Sequence, residues 1–253
     1  MSLAPYSAVE GFQRVKVFFR SDYLDGYRYL DSCGDFIVRA GEDMNLIPDG
    51  SPDPQGGNLI SPESGVAVEF NAEFSRVAQD LPSNYEDFIK YAKYVDKLYY
   101  ELFRPSSTDR IGLAITLCLP QESQEQSQQL SNQWGDSGFY ANMAKEIGMP
   151  CSTRMGEFNF KSGSNNLRVK VSSGHINLDK SPDTDLPARP TSKKRVLIDR
   201  LNQGKSRIRE SQLHHGIFID IDLTQDSPPP DVFDEMFELF QRYEQQIPQL
   251  IFP

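Results

Sequence analysis

The stretch that decides the fold is residues 216–253, which read GIFIDIDLTQDSPPPDVFDEMFELFQRYEQQIPQLIFP. Its first nine residues predict a β-strand, because apolar and polar side chains alternate along them. A proline-rich turn follows, and Asp231 is placed to cap the start of a helix. Apolar residues then recur at alternating steps of three and four. This spacing predicts an amphipathic helix with one apolar stripe: Phe233, Met236, Phe240, Tyr243, Ile247 and Leu250.

The same combination of strand and helix occurs earlier, in residues 65–105. Ser83 and Glu86 have the spacing of a capping box, which predicts a helix that begins at Ser83. Its stripe repeats the steps of the later helix with Tyr85, Phe88, Ala92, Val95, Tyr99 and Leu102. In the strand before it, five residues correspond in order and chemistry to Gly216, Ile219, Asp220, Ile221 and Asp222: they are Gly65, Val68, Glu69, Phe70 and Asn71.

These two units predict an α+β fold with two similar halves, each an antiparallel β-sheet with an amphipathic helix packed on it. A possible internal duplication would explain the similarity. The alternative is that any amphipathic helix after a strand resembles any other. We expect an N-terminal half over residues 1–119, a polar linker and short helix over 120–153, and a C-terminal half over 154–253.

Further strands are expected on both sides of this linker. Residues 11–20 alternate so that Arg14, Lys16 and Arg20 would face water together. Residues 111–119 are apolar at nearly every position, which predicts a central strand covered on both faces. The remaining predicted strands are Asp35–Ala40, Gly156–Lys161, Leu167–Ser172 with an extension through His175–Leu178, and Arg195–Leu201.

The composition is that of an ordinary globular chain, with 253 residues, 38% of them hydrophobic, and a formal net charge of -10. No apolar run approaches the roughly 20 residues of a membrane helix, and no secretion signal is visible, so we expect a cytoplasmic location without a membrane partner. The negative charge disfavours general nucleic-acid binding. Three widely spaced cysteines, Cys33, Cys118 and Cys151, show no pattern of a zinc site or of disulfides.

Two stretches of the chain resemble a known family. The first feature is the apolar-D-I-D strand, followed by a short turn, an amphipathic helix and an aromatic C-terminus. The second is Arg110-Ile111-Gly112-Leu113 after a mid-chain helix. Together they resemble an uncharacterised, sporadically distributed bacterial family of about this length, whose members end in an LDIDV-like strand and a terminal helix. The chain departs from that family's R-V-G-L-R-Y pattern, because Ala114 stands in place of the second arginine. The resemblance implies no biochemical activity.

Asp220 and Asp222 are the first candidate site, because they lie two residues apart on a strand and therefore share one face. Carboxylates close to an imidazole can bind a divalent metal or act as acid and base, and His215 stands just before them. Glu69 and Asn71 occupy the corresponding places in the first half, so a pseudo-twofold axis would bring the two polar pairs together. The competing interpretation is that the alternate isoleucines face the core and that both aspartates face water.

A second candidate site is the basic segment that leads into this strand. Residues 189–209 contain eight basic residues and one acid, a net charge of +7, which leaves -17 on the rest of the chain. Such a segment could bind an acidic protein partner, a phosphate-bearing ligand or RNA. It could equally neutralise the acidic remainder of the same molecule, since no aromatic residue is interleaved for base stacking. Its basic members are Arg189, Lys193, Lys194, Arg195, Arg200, Lys205, Arg207 and Arg209.

Known catalytic motifs are absent from the sequence, which has no G-x-S-x-G, no H-E-x-x-H and no G-x-G-x-x-G after a strand. No cofactor and no metal motif is indicated. We therefore expect a non-enzymatic binding or protein-interaction module, and whether the chain is an enzyme stays open. The alternatives are a metal-assisted hydrolase that uses Asp220, Asp222 and His215, or nucleic-acid binding through residues 189–209.

Overall fold

The structure, a computed structural model, describes residues 11–26, 28–50, 56–82, 84–123, 125–126, 145–148, 151–154, 156–177, 213–229 and 232–251. The long helices within these ranges are α1 (Tyr29–Met44), α2 (Glu86–Phe103) and α3 (Phe233–Ile251), and residues 145–147 form one further helical turn. The strands are β1 (Gln13–Leu24), β2 (Ile47–Pro48), β3 (Gly57–Ile60), β4 (Val66–Phe70), β5 (Phe74–Asp80), β6 (Ser107–Gln121), β7 (Cys151–Arg154), β8 (Glu157–Ser162), β9 (Asn165–Asn177) and β10 (Leu213–Asp226).

These strands form one antiparallel sheet in the order β2-β3-β4-β5-β1-β6-β10-β9-β8-β7. β1 and β6 lie at its centre and pair along most of their length, from Gln13 opposite Cys118 to Leu24 opposite Ser107. The fold is therefore α+β with a large antiparallel sheet. The sheet is continuous across the boundary that we expected at residue 119, because β6 pairs with both β1 and β10.

The long helices pack on the same face of this sheet. Phe19 of β1 meets Phe233 of α3 with ring centroids 5.0 Å apart. Phe70 of β4 stacks on Phe36 of α1 at 4.2 Å, and α2 packs on β4 and β5. The opposite face of the sheet carries no helix within the residues that the structure describes. We call it the open face.

Alternation of side chains along the strands explains this one-sided packing. In β10, every second residue from Ile217 to Leu223 is buried, whereas Asp220 and Asp222 between them are only partly buried. The predicted stripes of α2 and α3 are confirmed as core, since all their members are buried except the partly buried Leu102 and Leu250. Each large side chain of such a stripe contributes roughly 1.5–3 kcal/mol when it leaves water.

One predicted strand is a helix. Residues 35–40 belong to α1. The buried residues of α1 lie three or four positions apart, which is the period of a helix: they are Tyr29, Ser32, Phe36, Ala40 and Met44. The prediction was wrong because a window of six residues is too short to separate the period of a helix from that of a strand.

A strand that was not predicted, β5, lies between residues 65–72 and α2. β5 alternates buried and exposed residues and pairs with both β4 and β1. The strand that leads into α2 is therefore β5, whereas the strand that leads into α3 is β10. The expected correspondence of Gly65–Asn71 with Gly216–Asp222 thus compares strands at different places in the chain, because β5 separates β4 from α2.

Two details of β1 and α2 also differ from expectation. A β-bulge between Arg14 and Lys16 shifts the alternation of β1, so Arg14 points to the helices and not to water. Ser83 lies outside the described residues. The N-cap residue of α2 is Tyr85, which makes no side-chain capping hydrogen bond. One residue earlier, Oδ1 of Asn84 accepts a hydrogen bond from the N–H of Glu86 at 2.9 Å.

The strands expected in the C-terminal half are confirmed in part. β8 and β9 cover Gly156–Lys161 and Leu167–Ser172 to within a residue or two, and β9 continues to Asn177. β6 is confirmed as a central strand. Most of the predicted linker over 120–153, including Trp134, lies outside the described residues, and so does the predicted strand Arg195–Leu201.

Candidate functional site

The open face carries the strand residues that alternate with the helix-covered core positions. One row across five neighbouring strands consists of Phe18, Ala114, Asp222, Arg168 and Asn159, each opposite the next in the strand register. Side chains opposite one another in adjacent strands are close enough to interact. The open face thus carries apolar residues over β6, where Cys118 and Phe218 pack with Val15 in a small buried cluster, and polar and charged groups towards β9 and β8.

Ion pairs join neighbouring strands along this face. Because each pair is at least partly exposed to water, it contributes at most about 1 kcal/mol to stability. Acids and bases alternate between strands, so the face carries both signs of charge. The pairs are Glu69 with Arg76 at 2.8 Å, Lys16 with Asp80 at 3.5 Å, Asp22 with Arg110 at 2.9 Å and Asp222 with Arg168 at 3.0 Å.

A cleft of about 400 Å³ lies on the open face across β6, β8, β9 and β10. Three of the four charged residues in its lining are cations, and the fourth is Asp222. A cavity of this size accommodates a small ligand or one group of a larger partner. The lining residues are Arg110, Asn159, Phe160, Lys161, Asn166, Leu167, Arg168, Asp222 and Thr224.

Carboxylates hold the two arginines of the cleft in place. Asp22 accepts two hydrogen bonds from Arg110, at 3.0 Å from Nε and 2.9 Å from Nη2. Asp222 accepts one from Nη2 of Arg168 at 3.0 Å. The side chain of Lys161 is exposed and makes no hydrogen bond or ion pair within the described part of the chain. Because a guanidinium has five N–H groups, both arginines keep donors for a ligand.

The Asp222 carboxyl is in an unfavourable place for a charge. Burial raises its pKa above the ordinary value of an aspartate. The charges of Arg168 and Arg110 oppose this shift, and the charge of Asp220 adds to it. Desolvation therefore outweighs the ion pair with Arg168. Groups with pKa values shifted in this way concentrate at functional sites.

Asp220 and Asp222 share the open face, as expected, but they have different partners. The hydroxyl of Thr116 donates a hydrogen bond to Oδ1 of Asp220 at 2.6 Å. His215 lies at an odd-numbered position of β10, like the core residue Ile217, so the alternation places it on the opposite face. Five strand steps, about 17 Å, also separate it from Asp220. The structure does not bring His215 together with the two aspartates.

Glu69 and Asn71 lie far from that pair. Three strands, β5, β1 and β6, separate β4 from β10, which corresponds to about 19 Å at the usual strand spacing. Glu69 pairs with Arg76 at 2.8 Å. Oδ1 of Asn71 accepts hydrogen bonds from the backbone N–H groups of Glu73 and Phe74 and so shapes the turn between β4 and β5. The expected approach of the two polar pairs is not found.

The remaining sequence candidates concern metal and the basic segment. Among the described residues, no group of three His, Cys, Asp or Glu side chains is placed to hold a metal ion. The basic residues from Arg189 to Arg209 all lie outside the described residues. Their role in binding a partner stays a prediction.

A buried polar network that the sequence analysis did not identify joins α2, α3 and β1. Glu244 of α3 is only 1% exposed, and it accepts hydrogen bonds from Nε of Arg14 at 2.5 Å and from the hydroxyl of Tyr85 at 2.6 Å. Burial alone would lower the pKa of Arg14, but the hydrogen bond and charge of Glu244, together with Tyr85, raise it. The guanidinium also lies 4.4 Å from the centre of the Tyr85 ring. The network therefore ties both helices to the sheet.

A second network fastens α2 to the other end of β1. Asp96 of α2 accepts hydrogen bonds from the hydroxyls of Ser21 at 2.9 Å and Tyr23 at 2.7 Å. Burial, and then the charge of Asp96, raise the pKa of Tyr23 well above its ordinary value. Asp96 and the Glu244 of the first network share a signal in the sequence, because each is a charged residue directly after a member of an apolar stripe. Asp96 follows Val95, and Glu244 follows Tyr243.

The comparisons with known proteins assign no family to this chain. It matches no protein-family model, and a comparison with curated proteins finds no match either. Of the described helices, none has both the length and the apolar character needed to cross a membrane.

Proposed function

We propose that this protein is a non-enzymatic binding module, and that the cleft on its open face binds an anionic group of a partner. The observation that carries the proposal is the lining, which contains three cations, Arg110, Lys161 and Arg168, and one carboxylate, Asp222. Guanidinium and ammonium groups bind phosphate and carboxylate oxygens through charge-assisted hydrogen bonds. The partner is therefore a phosphate-bearing molecule or an acidic protein surface.

The contacts around the cleft support this proposal. Asp22 holds the Arg110 guanidinium, so little side-chain freedom is lost when a ligand binds it. Asp222 occupies one N–H group of Arg168, so an anion can bind the remaining donors. Burial disfavours the charged form of Asp222, which lessens the repulsion between this carboxyl and a bound anion.

The same contacts favour binding over a metal-assisted hydrolase and give no support to nucleic-acid binding by the open face. Nucleic-acid binding through residues 189–209 stays a prediction, because those residues lie outside the described part of the chain. A metal-assisted hydrolase would need Asp220 and Asp222 as ligands, but Thr116 and Arg168 already occupy an oxygen of each carboxylate. A nucleic-acid surface would present unpaired cations along its length. The open face instead carries acids and bases paired between neighbouring strands.

Titration with inorganic pyrophosphate and with a peptide rich in Asp and Glu tests the proposal. A ligand that binds only the folded state stabilises it by mass action, so the melting temperature should rise with ligand concentration. Arg168→Gln and Lys161→Gln should remove the rise. Lys97→Gln, on the exposed side of α2, should leave it unchanged.

Two results would count against this function. One is a rise of equal size in the cleft variants and in the wild-type protein. The other is no rise with either ligand when sodium chloride keeps the ionic strength constant, since the cleft would then have no measurable preference for a multivalent anion.

We further propose that the two halves of the sheet descend from one duplicated unit. The strand order supports this, since β1 to β5 fill one half of the sheet and β6 to β10 the other, with β1 and β6 adjacent. α2 follows β5 as α3 follows β10. Asp96 and Glu244 are 148 positions apart, the same offset that separates Tyr85 from Phe233.

The proposed duplication moves the boundary from residue 119 to the loop before β6, near Pro105. An experimental structure tests it by superposition of β1–β5 and α2 on β6–β10 and α3. The duplication requires β5 to superpose on β10 and Asp96 on Glu244. Superposition of β4 on β10, or no superposition of the two helices, would remove it.

A further inference from the structure

The outer side of α1 carries an apolar stripe. Leu30 and Val38 are 68% and 57% exposed, more than any other large hydrophobic residue that the structure describes. They lie eight residues apart on the helix, which is about two turns or 12 Å. Between them, Gly34 is exposed, and a Cβ atom added there would meet no atom within 4 Å. With the half-buried Ile37, these residues form what we call the α1 stripe.

The α1 stripe faces away from the neighbouring helix. Nη2 of Arg39 donates a hydrogen bond to Glu101 of α2 at 2.9 Å, and the hydroxyl of Tyr94 of α2 donates one to Asp43 at 2.8 Å. At about 100° per residue, positions 39 and 43 lie roughly half a turn around the helix from Gly34. The contact between α1 and α2 therefore leaves the stripe uncovered.

Three acids line one edge of the stripe. Asp31, Asp35 and Glu42 are all exposed. None of their side chains takes part in a hydrogen bond or an ion pair within the described part of the chain. On an α-helix these positions fall on the same side of the line from Leu30 to Val38. The edge thus presents three carboxylates that make no ion pair within the described residues, because Arg39, one turn from Asp35 and Glu42, is engaged by Glu101 of α2.

We propose that the α1 stripe docks an amphipathic helix of a partner protein whose own apolar stripe is flanked by lysine or arginine. A helix is recognised through apolar side chains at steps of three and four, and the stripe offers a matching surface. Gly34 lets a partner helix approach the backbone closely. The edge of Asp31, Asp35 and Glu42 selects basic flanks by charge complementarity.

A second copy of the chain fits the stripe less well. A twofold axis that packs two α1 helices antiparallel brings the same patch of each copy together. The acidic edges would then lie against each other, and like charges in contact oppose association. The net charge of -10 opposes self-association further.

Binding of synthetic peptides tests the proposal independently of the cleft, which lies on the other face of the sheet. The probe is a stapled helix of about 15 residues with leucines at steps of four and three and lysines along both edges. A matched peptide has glutamates in place of the lysines. The lysine peptide should bind at least about tenfold more tightly and shift the amide resonances of α1.

Variants of α1 give the sharper readout. Val38→Asp should weaken the lysine peptide about tenfold, and the combination of Asp31→Asn, Asp35→Asn and Glu42→Gln should remove its advantage over the glutamate peptide. The matched control neutralises two exposed acids of α2, Glu86→Gln with Asp87→Asn, and should change nothing.

Three outcomes would overturn the proposal. The first is equal binding of the two peptides, and the second is unchanged binding after Val38→Asp. The third is a shift of the α1 resonances with protein concentration in the absence of peptide, which would make a second copy the occupant of the stripe.

Discussion

Replacement of Glu244 by glutamine tests the buried network most sharply, because the shape of the side chain is kept and only its charge is removed. Glu244 has a side-chain exposure of 2% and accepts two hydrogen bonds, and the Arg14 side chain that it neutralises is 16% exposed. Removal of one partner of a buried ion pair costs about 3–5 kcal/mol. Because Arg14 retains some contact with water, we expect a loss of about 3 kcal/mol in the free energy of unfolding.

Urea denaturation of Glu244→Gln, monitored by circular dichroism, measures this loss. A triple variant, Arg14→Met with Glu244→Leu and Tyr85→Phe, is the control, because replacing all the polar partners by apolar residues of similar size is often neutral and leaves no buried donor unpaired. It should lie within about 1 kcal/mol of the wild-type protein. If Glu244→Gln loses less than about 1 kcal/mol, the network does not tie α2 and α3 to β1 as described.

Three further predictions follow from the same contacts. Burial gives Asp222 a raised pKa in the folded state, so its contribution to stability is present below the unfolded pKa and is lost as pH rises through the folded pKa. Asp222→Asn should therefore gain stability relative to the wild-type protein as pH rises above about 4, the unfolded pKa of an aspartate, as urea denaturation at several pH values would show. Asp96→Asn should lose about 1–3 kcal/mol in the same assay, since the hydroxyls of Ser21 and Tyr23 lose a charged acceptor. Burial raises the pKa of the Cys118 thiol to about 12, so in a Cys151→Ser background a thiol reagent should modify Cys33 in the native protein and Cys118 only after denaturation.

The helices α2 and α3 could be predicted because an apolar stripe that is regular over about five turns matches the period of a helix and does not match the period of a strand. α1 could not be recognised in the same way, because Ser32 takes a buried place and glycines 34 and 41 interrupt its apolar pattern. The bulge that turns Arg14 towards Glu244 has no signature in the local sequence. It depends on the pairing of β1 with β6, about a hundred residues along the chain.

The candidate site depended even more on long-range register. Asp222 was identified from its spacing alone, but its cleft partners Arg110 and Arg168 come from β6 and β9. The alternation of β10 correctly placed Asp220 and Asp222 on one face, and the same alternation removes His215 from them. Glu69 and Asn71 were grouped with the aspartates because β5 had not been recognised. The sequence thus predicts on which face of the sheet a residue lies more readily than it predicts which residues of neighbouring strands lie beside it.

An NMR titration of the isotopically labelled protein with inorganic pyrophosphate tests the central claim most directly. If the cleft binds an anionic group, the side-chain amides of Asn159 and Asn166 and the guanidinium of Arg168 should shift together and saturate. The Arg168→Gln variant should show no saturating shift. Saturating shifts confined to the helix-covered face, or cleft signals that do not move in the wild-type protein, would contradict the account.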